Sequence, residues 1–122
     1  MTTILIADDE PSLRLLVSAT ISSDDYDVVE ATDGDEAWSL IRYHRPRVAL
    51  LDVQMPGRTG LELTRAIRND PELAKTCVIL LTSKAQKSDV EAGLAAGADR
   101  YLTKPFSPLE LLRVVEQAAG ET

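Results

Sequence analysis

Three times in this sequence a run of four apolar residues ends on a polar group able to do chemistry. Ile4-Leu5-Ile6-Ala7 is closed by Asp8-Asp9-Glu10, Val48-Ala49-Leu50-Leu51 by Asp52, and Val78-Ile79-Leu80-Leu81 by Thr82-Ser83. Short runs that are apolar at every position fit strands buried on both faces, which occur in parallel sheets covered by helices on either side. Between the runs lie amphipathic stretches with helix signals. Pro11 suits a first helical position, and Leu13, Leu16, Val17 and Ile21 follow at helical spacing. Asp33 with Glu36 reads as a capping box ahead of Ala37, Leu40 and Ile41. Pro56-Gly57 marks a turn, and Leu61 to Arg68 a short helix ended by Asn69-Asp70-Pro71. Ser88 and Glu91 cap a helix through Leu94 that stops near Gly97, and Ser107-Pro108-Leu109-Glu110 starts the last one. Two weaker strands, Asp27 to Ala31 and Asp99 to Thr103, complete five strand–helix units.

Five such units imply parallel strands joined by right-handed crossovers, hence a single doubly wound α/β domain over residues 1–122. Ligands of these sheets sit beyond the carboxyl ends of the strands. There the sequence gathers Asp8, Asp9, Asp52, Thr82 and Lys104. Any one of the acids could merely cap the helix that follows it; five groups on one rim ask for more. Three carboxylates close together repel unless a cation joins them. An oxygen-only set favours Mg²⁺, which keeps waters and shares phosphate oxygens. Lys104 and Thr82 supply the donors a phosphoryl group needs, and a carboxylate can attack a phosphoryl donor to give an acyl phosphate.

Composition narrows the choice of function. Thirteen Lys and Arg against twenty Asp and Glu give a net charge of −7, which speaks against direct binding of nucleic acid by its phosphates. One cysteine, Cys77, excludes an internal disulfide and a multi-cysteine metal site, and one histidine, His44, excludes a His-pair metal centre. Cys77 reads as core, Trp38 as packing on the second helix, and His44, beside Arg42, Arg45 and Arg47, as solvated. Gly57 and Gly60 make no phosphate-cradling pattern, and Glu10 serves the first turn of the first helix. No apolar run approaches membrane-spanning length and no signal-peptide pattern precedes the first strand, so the expected location is cytoplasmic, with no membrane contact.

Asp8-Asp9, Asp52 followed by Met55-Pro56 and Gly60, Thr82-Ser83 and Lys104-Pro105-Phe106 together resemble the receiver domain of two-component response regulators. The match runs in order along essentially the whole chain. It implies a flavodoxin-like five-stranded sheet of order 2-1-3-4-5. It further implies Asp52 as phosphoacceptor, Asp9 as a direct Mg²⁺ ligand, Asp8 acting through water or hydrogen bonds, and the Gln54 carbonyl as the remaining protein ligand. Lys104, aimed at Asp52 by a cis Lys104-Pro105 turn, is implied to pair with a phosphoryl oxygen. Thr82 is implied to turn toward another such oxygen on activation, with Tyr101 moving alongside. Gln54 and Lys84, two residues beyond Asp52 and Thr82, occupy positions that tune phosphoryl lifetime in the family. Thr59 stands where an acid is usual, leaving a threonine to cap the third helix.

The function this resemblance implies is a phosphorylation-controlled switch. A sensor histidine kinase, a phosphotransfer protein or a small acyl phosphate donates to Asp52. The face of the fourth helix, fifth strand and fifth helix then acts on an effector protein or a linked output domain. Enzymatic activity is confined to the chain's own aspartyl phosphorylation and dephosphorylation. A phosphohydrolase of the haloacid dehalogenase type would place a second acid where Gln54 stands. A phosphorylation-independent adaptor would be expected to lack Asp52 or Lys104, and both are present. In the DNA-binding branch that dimerises through the output face, charges on helices four and five pair between copies. Asp99, Arg100 and Glu110 could join such pairs, but Val90 and Val114 stand where basic partners are expected, unless both valines face the core. No tight salt-bridged dimer is expected.

Overall fold

The computed structural model describes residues 2–83 and 87–120. Its central strands are the apolar runs themselves. β1 (Thr2–Ala7), β3 (Val48–Asp52) and β4 (Cys77–Thr82) lie in the middle of a five-stranded sheet, with β2 (Tyr26–Ala31) and β5 (Arg100–Thr103) at its edges. Every pairing is parallel and the order is 2-1-3-4-5. β3 and β4 are buried along their whole length, whereas both edge strands are part-exposed at most positions. This difference in solvation explains why the edge strands are the weaker signals in the sequence. They begin one residue earlier and one residue later than expected, at Tyr26 and Arg100.

Successive side chains of a strand point to opposite faces, and the core divides accordingly. Leu5, Leu51 and Leu80 pack with Ala37 and Ile41 of α2 (Gly34–His44) and with Leu63 and Ile67 of α3 (Gly60–Arg68). Ile6, Leu50 and Ile79 pack on the other face with Val17 and Ile21 of α1 (Pro11–Ile21) and with Leu111 and Val115 of α5 (Pro108–Gly120). Each such fully buried Leu or Ile contributes about 1.5–3 kcal/mol. α4 (Lys87–Ala96) lies beside β4, where Gly93 leaves room for the Leu80 side chain.

Local capping follows the sequence with two corrections. Thr59 and Glu62 form a full capping box at the start of α3, and Ser107 and Glu110 exchange bonds in the same way at α5. At α2 only half of the predicted box exists. Asp33 accepts from the Glu36 N–H at 2.8 Å, but the Glu36 carboxylate takes the Thr32 N–H at 2.7 Å instead of that of Asp33. Ser88, expected to cap α4, lies inside it, since the helix already includes Lys87. At the end of β3, a Cβ on Gly60 would stand 2.5 Å from the Asp52 carbonyl oxygen. Only glycine lets α3 start this close to the strand that carries Asp52.

Candidate functional site

The sheet register brings the strand-end groups to one rim. Asp8 follows β1, Asp52 closes β3, Thr82 closes β4, and Lys104 follows β5. Carboxylate oxygens of Asp8, Asp9 and Asp52 all lie within 4.8 Å of one another. The Lys104 ammonium donates to Asp8 Oδ2 at 2.7 Å and stands 3.4 Å from Asp52 Oδ2. The Lys104–Pro105 peptide is cis, and the Lys104 N–H donates to the Thr82 carbonyl at 2.6 Å.

Burial separates the three acids. Asp8 is fully buried, Asp52 is 6% exposed, and Asp9 is exposed. Both Asp8 carboxylate oxygens are engaged, Oδ1 by the Glu10 N–H at 2.9 Å and Oδ2 by Lys104. Burial first, then the Asp8 charge, push the Asp52 carboxyl from 3.8 up to about 6, against the pull of Lys104 and of the Gln54 N–H. For Lys104, burial acts to lower the ammonium. The hydrogen bond to Asp8 and the charges of Asp52 and Asp8 outweigh it and leave the pKa raised. Three carboxylates against one ammonium leave the rim short of positive charge. An all-oxygen donor set at this spacing, with one acid exposed, fits Mg²⁺. Asp9 is exposed and Asp52 meets its neighbours only at 3.3 and 3.4 Å, whereas Asp8 makes shorter bonds to Glu10 and Lys104.

The remaining candidates occupy the border of this rim. The Gln54 N–H donates to Asp52 Oδ1 at 3.3 Å, while its side-chain amide reaches Asp89 Oδ2 on α4 at 3.5 Å. Thr82 is buried, its hydroxyl donating to the Ser83 carbonyl at 3.1 Å. Tyr101 is half exposed on β5. Thr82 and Tyr101 line one hollow of about 320 Å³ together with Val90 and Leu94. Lys84 lies outside the described residues. Cys77 is buried, and burial with the nearby Asp99 charge raises its thiol pKa, as suits an inert core residue. Trp38 packs half-buried between the Arg42 and Arg58 guanidinium carbons, 5.8 and 5.2 Å from its ring centroid. His44 is exposed at the end of α2, edge-on to Tyr43. The Glu10 carbonyl accepts the Leu13 and Arg14 N–H groups at the start of α1, but its side chain, expected to serve that turn, makes no cap hydrogen bond.

Two participants escape a reading of the sequence alone. Arg14 donates to the Asp8 carbonyl at 2.7 Å, and Asp89 meets Gln54 across 35 positions. A cation one turn into the helix that follows Asp8-Asp9-Glu10 was the available signal for Arg14. Nothing local marks Asp89.

Comparison with known proteins decides what this arrangement belongs to. Residues 4–116 match the response regulator receiver domain family. The chain belongs to that family. The receiver is 40% identical over 114 residues to the response regulator GtcR of Aneurinibacillus migulanus, covering 93% of this chain and 46% of that protein. It thus spans about half the length of the curated relatives it matches. It superposes on the chemotaxis response regulator CheY4 of Vibrio cholerae with a TM-score of 0.89, 35% identity and coverage of 97% and 98% of the two chains. The receiver domain of the sensor histidine kinase PA1611 of Pseudomonas aeruginosa PAO1 superposes with a TM-score of 0.88 and 32% identity, covering 98% of each chain. That structure has a magnesium ion coordinated in its active-site cleft. The receiver therefore has the five-stranded, flavodoxin-like fold of its family, and it carries the acidic cluster Asp8, Asp9 and Asp52. No helix among its described residues is long and apolar enough to cross a membrane.

Proposed function

We propose that this receiver is a Mg²⁺-dependent phosphoacceptor switch in which Asp52 receives the phosphoryl group. The observation that carries the proposal is the placement of Asp52: nearly buried, within 4.8 Å of Asp8 and Asp9, and 3.4 Å from the Lys104 ammonium. Asp9, Asp52 and the Gln54 carbonyl would hold the metal, with Asp8 acting through water. Bound Mg²⁺ would neutralise charge on the carboxylates and on the incoming phosphoryl oxygens.

The chain's own groups account for the rest. At neutral pH Asp52 is mostly ionised despite its raised pKa of about 6, so a carboxylate oxygen is available for in-line attack on phosphorus. The phosphorus–nitrogen bond of a phosphohistidine donor, or the phosphorus–oxygen bond of an acyl phosphate, breaks, and the donor leaves with the bonding electron pair. Lys104 moves its ammonium from Asp8 toward the new phosphoryl oxygens, and the Thr82 hydroxyl turns from the Ser83 carbonyl toward another. The hollow shared by Thr82 and Tyr101 gives this rotation room and links it to the face of α4, β5 and α5.

The phosphoryl donor is a sensor histidine kinase or a phosphotransfer protein. The reader of the altered face is an effector protein or an output domain of a longer chain. The net charge of −7 argues against nucleic-acid contact by this domain itself, and a cytoplasmic site of action fits such partners. The domain turns over no substrate besides its own aspartyl phosphate.

Acetyl phosphate with Mg²⁺ tests the proposal. One phosphoryl mass, labile to hydroxylamine, should appear on the parent chain and vanish with EDTA or in Asp52→Asn. Persistent labelling of the Asn variant overturns the assignment of Asp52.

A further inference from the structure

Every polar group of Asp8 is engaged. Its N–H donates to the Ala31 carbonyl at 3.2 Å, and its carboxylate serves Glu10 and Lys104. Its own carbonyl accepts Arg14 Nη1 at 2.7 Å. That carbonyl lies in the same planar peptide as the Asp9 N–H. A bond that fixes the carbonyl therefore fixes the plane in which the chain enters Asp9.

Arg14 is itself anchored. Its side chain is 14% exposed, and its Nε stands 3.5 Å from Glu30 Oε1. Glu30 Oε2 in turn accepts from the Ser18 hydroxyl at 3.0 Å. Glu30 sits on β2 opposite Ile6, one residue before Ala31. The guanidinium thus ties the exit of β1 to the end of β2 and to α1, through one hydrogen bond and one ion pair of its rigid fork.

We infer that Arg14, anchored by Glu30, is a positioning residue that aims Asp9 at the metal position. The inference rests on the reading of the acidic cluster as a Mg²⁺ site. Its test turns on sign. As a charge, Arg14 opposes a nearby dication, and its removal would tighten binding. As a positioning group, its removal loosens the Asp8–Asp9 peptide and weakens binding.

Calorimetric titration of MgCl₂ into the EDTA-stripped, dialysed chain separates the two. Arg14→Ala and Glu30→Ala should each raise the Kd by about tenfold, the lower end of what loss of an outer partner costs a metal site. Glu30→Gln keeps an acceptor oxygen for Arg14 and should stay near the parent value. Melting curves without metal identify any variant that fails to fold, and the two Glu30 variants then carry the decision. Equal or tighter binding by Arg14→Ala overturns the inference, as does identical binding by Glu30→Ala and Glu30→Gln. A parent chain that binds no Mg²⁺ overturns the reading of the site itself, and the role of Arg14 with it.

Discussion

The Lys104 ammonium donates to Asp8 Oδ2 at 2.7 Å, joining two residues 96 positions apart in sequence. Asp52 is the more distant neighbour, at 3.4 Å. In the unphosphorylated domain Lys104 is thus chiefly the counterion of the buried Asp8, and it stands between two carboxylates that would otherwise face each other.

Removing that ammonium should destabilise the domain in a way that Mg²⁺ corrects. Lys104→Ala leaves Asp8 buried without its charge partner. Because Lys104 is 26% exposed, the loss at pH 7 in EDTA should be on the order of 1–2 kcal/mol, below that of a fully buried pair. A dication between the same carboxylates replaces the missing charge. Urea unfolding should show that Mg²⁺ stabilises the variant more than it stabilises the parent. Equal stabilisation of both would contradict this role for Lys104.

Asp52 gives a pH signature of the opposite sense to a salt-bridged acid. Its carboxyl rises to about 6 in the folded state, mainly through burial, from an ordinary 3.8. Between these values the folded chain binds more protons than the unfolded one, so stability falls as pH rises from about 4 to about 6. Above that window the full cost remains. Asp52→Asn cannot ionise and escapes it. In EDTA it should exceed the parent in stability by on the order of 1–2 kcal/mol at pH 7.5, with the gain gone near pH 4. A gain that is independent of pH would mean that ionisation of Asp52 is not its source.

The features legible in the sequence are those whose cause is local or periodic. β1, β3 and β4 announce themselves because burial on both faces demands an apolar residue at every position. Asp8, Asp9, Asp52, Thr82 and Lys104 follow from the rule that strand ends converge. Contacts made by long side chains across elements carry no such mark. Arg68 donates to the carbonyls of Gly97 and Thr76 and to Asp99, 29, 8 and 31 positions away, and no spacing rule selects those partners. The Glu36 carboxylate chose Thr32 over Asp33 by backbone geometry, which a four-residue motif does not encode.

Gln54 should prolong the life of the phosphorylated state. Its N–H meets the phosphoacceptor and its side chain reaches Asp89 on α4, a position from which it would obstruct the water that hydrolyses the acyl phosphate. Gln54→Ala should speed loss of phosphate several-fold at fixed Mg²⁺, as followed by intact mass. Asp89→Ala should act in the same direction, and the double variant should lose less than the sum of the two. Full additivity would show that the contact plays no part in lifetime.

Charges at the output face are partly committed within the chain. Val90 is buried and Val114 packs half-buried against the core, so neither stands at the surface as a substitute for a basic partner. Asp99 is already committed within its own chain, its Oδ2 accepting from Arg68 at 2.6 Å and from the Val78 N–H at 2.8 Å. Recruiting that oxygen to a second copy would break both bonds, at about 1.5–3 kcal/mol for each hydrogen bond to a charged group. Arg100 bonds Gln117 at 3.2 Å on the same face. With Asp99 and Arg100 engaged within the chain, the face also offers apolar contacts such as Tyr101 and Leu94, which hold copies together without fixing their orientation. Sedimentation of the beryllofluoride-activated domain across a concentration series should therefore show at most weak association, insensitive to salt. Asp99→Ala should lower the melting temperature and leave that association unchanged. A tight dimer on activation, weakened by salt and by Asp99→Ala, would mean that Asp99 exchanges Arg68 for a partner across the interface.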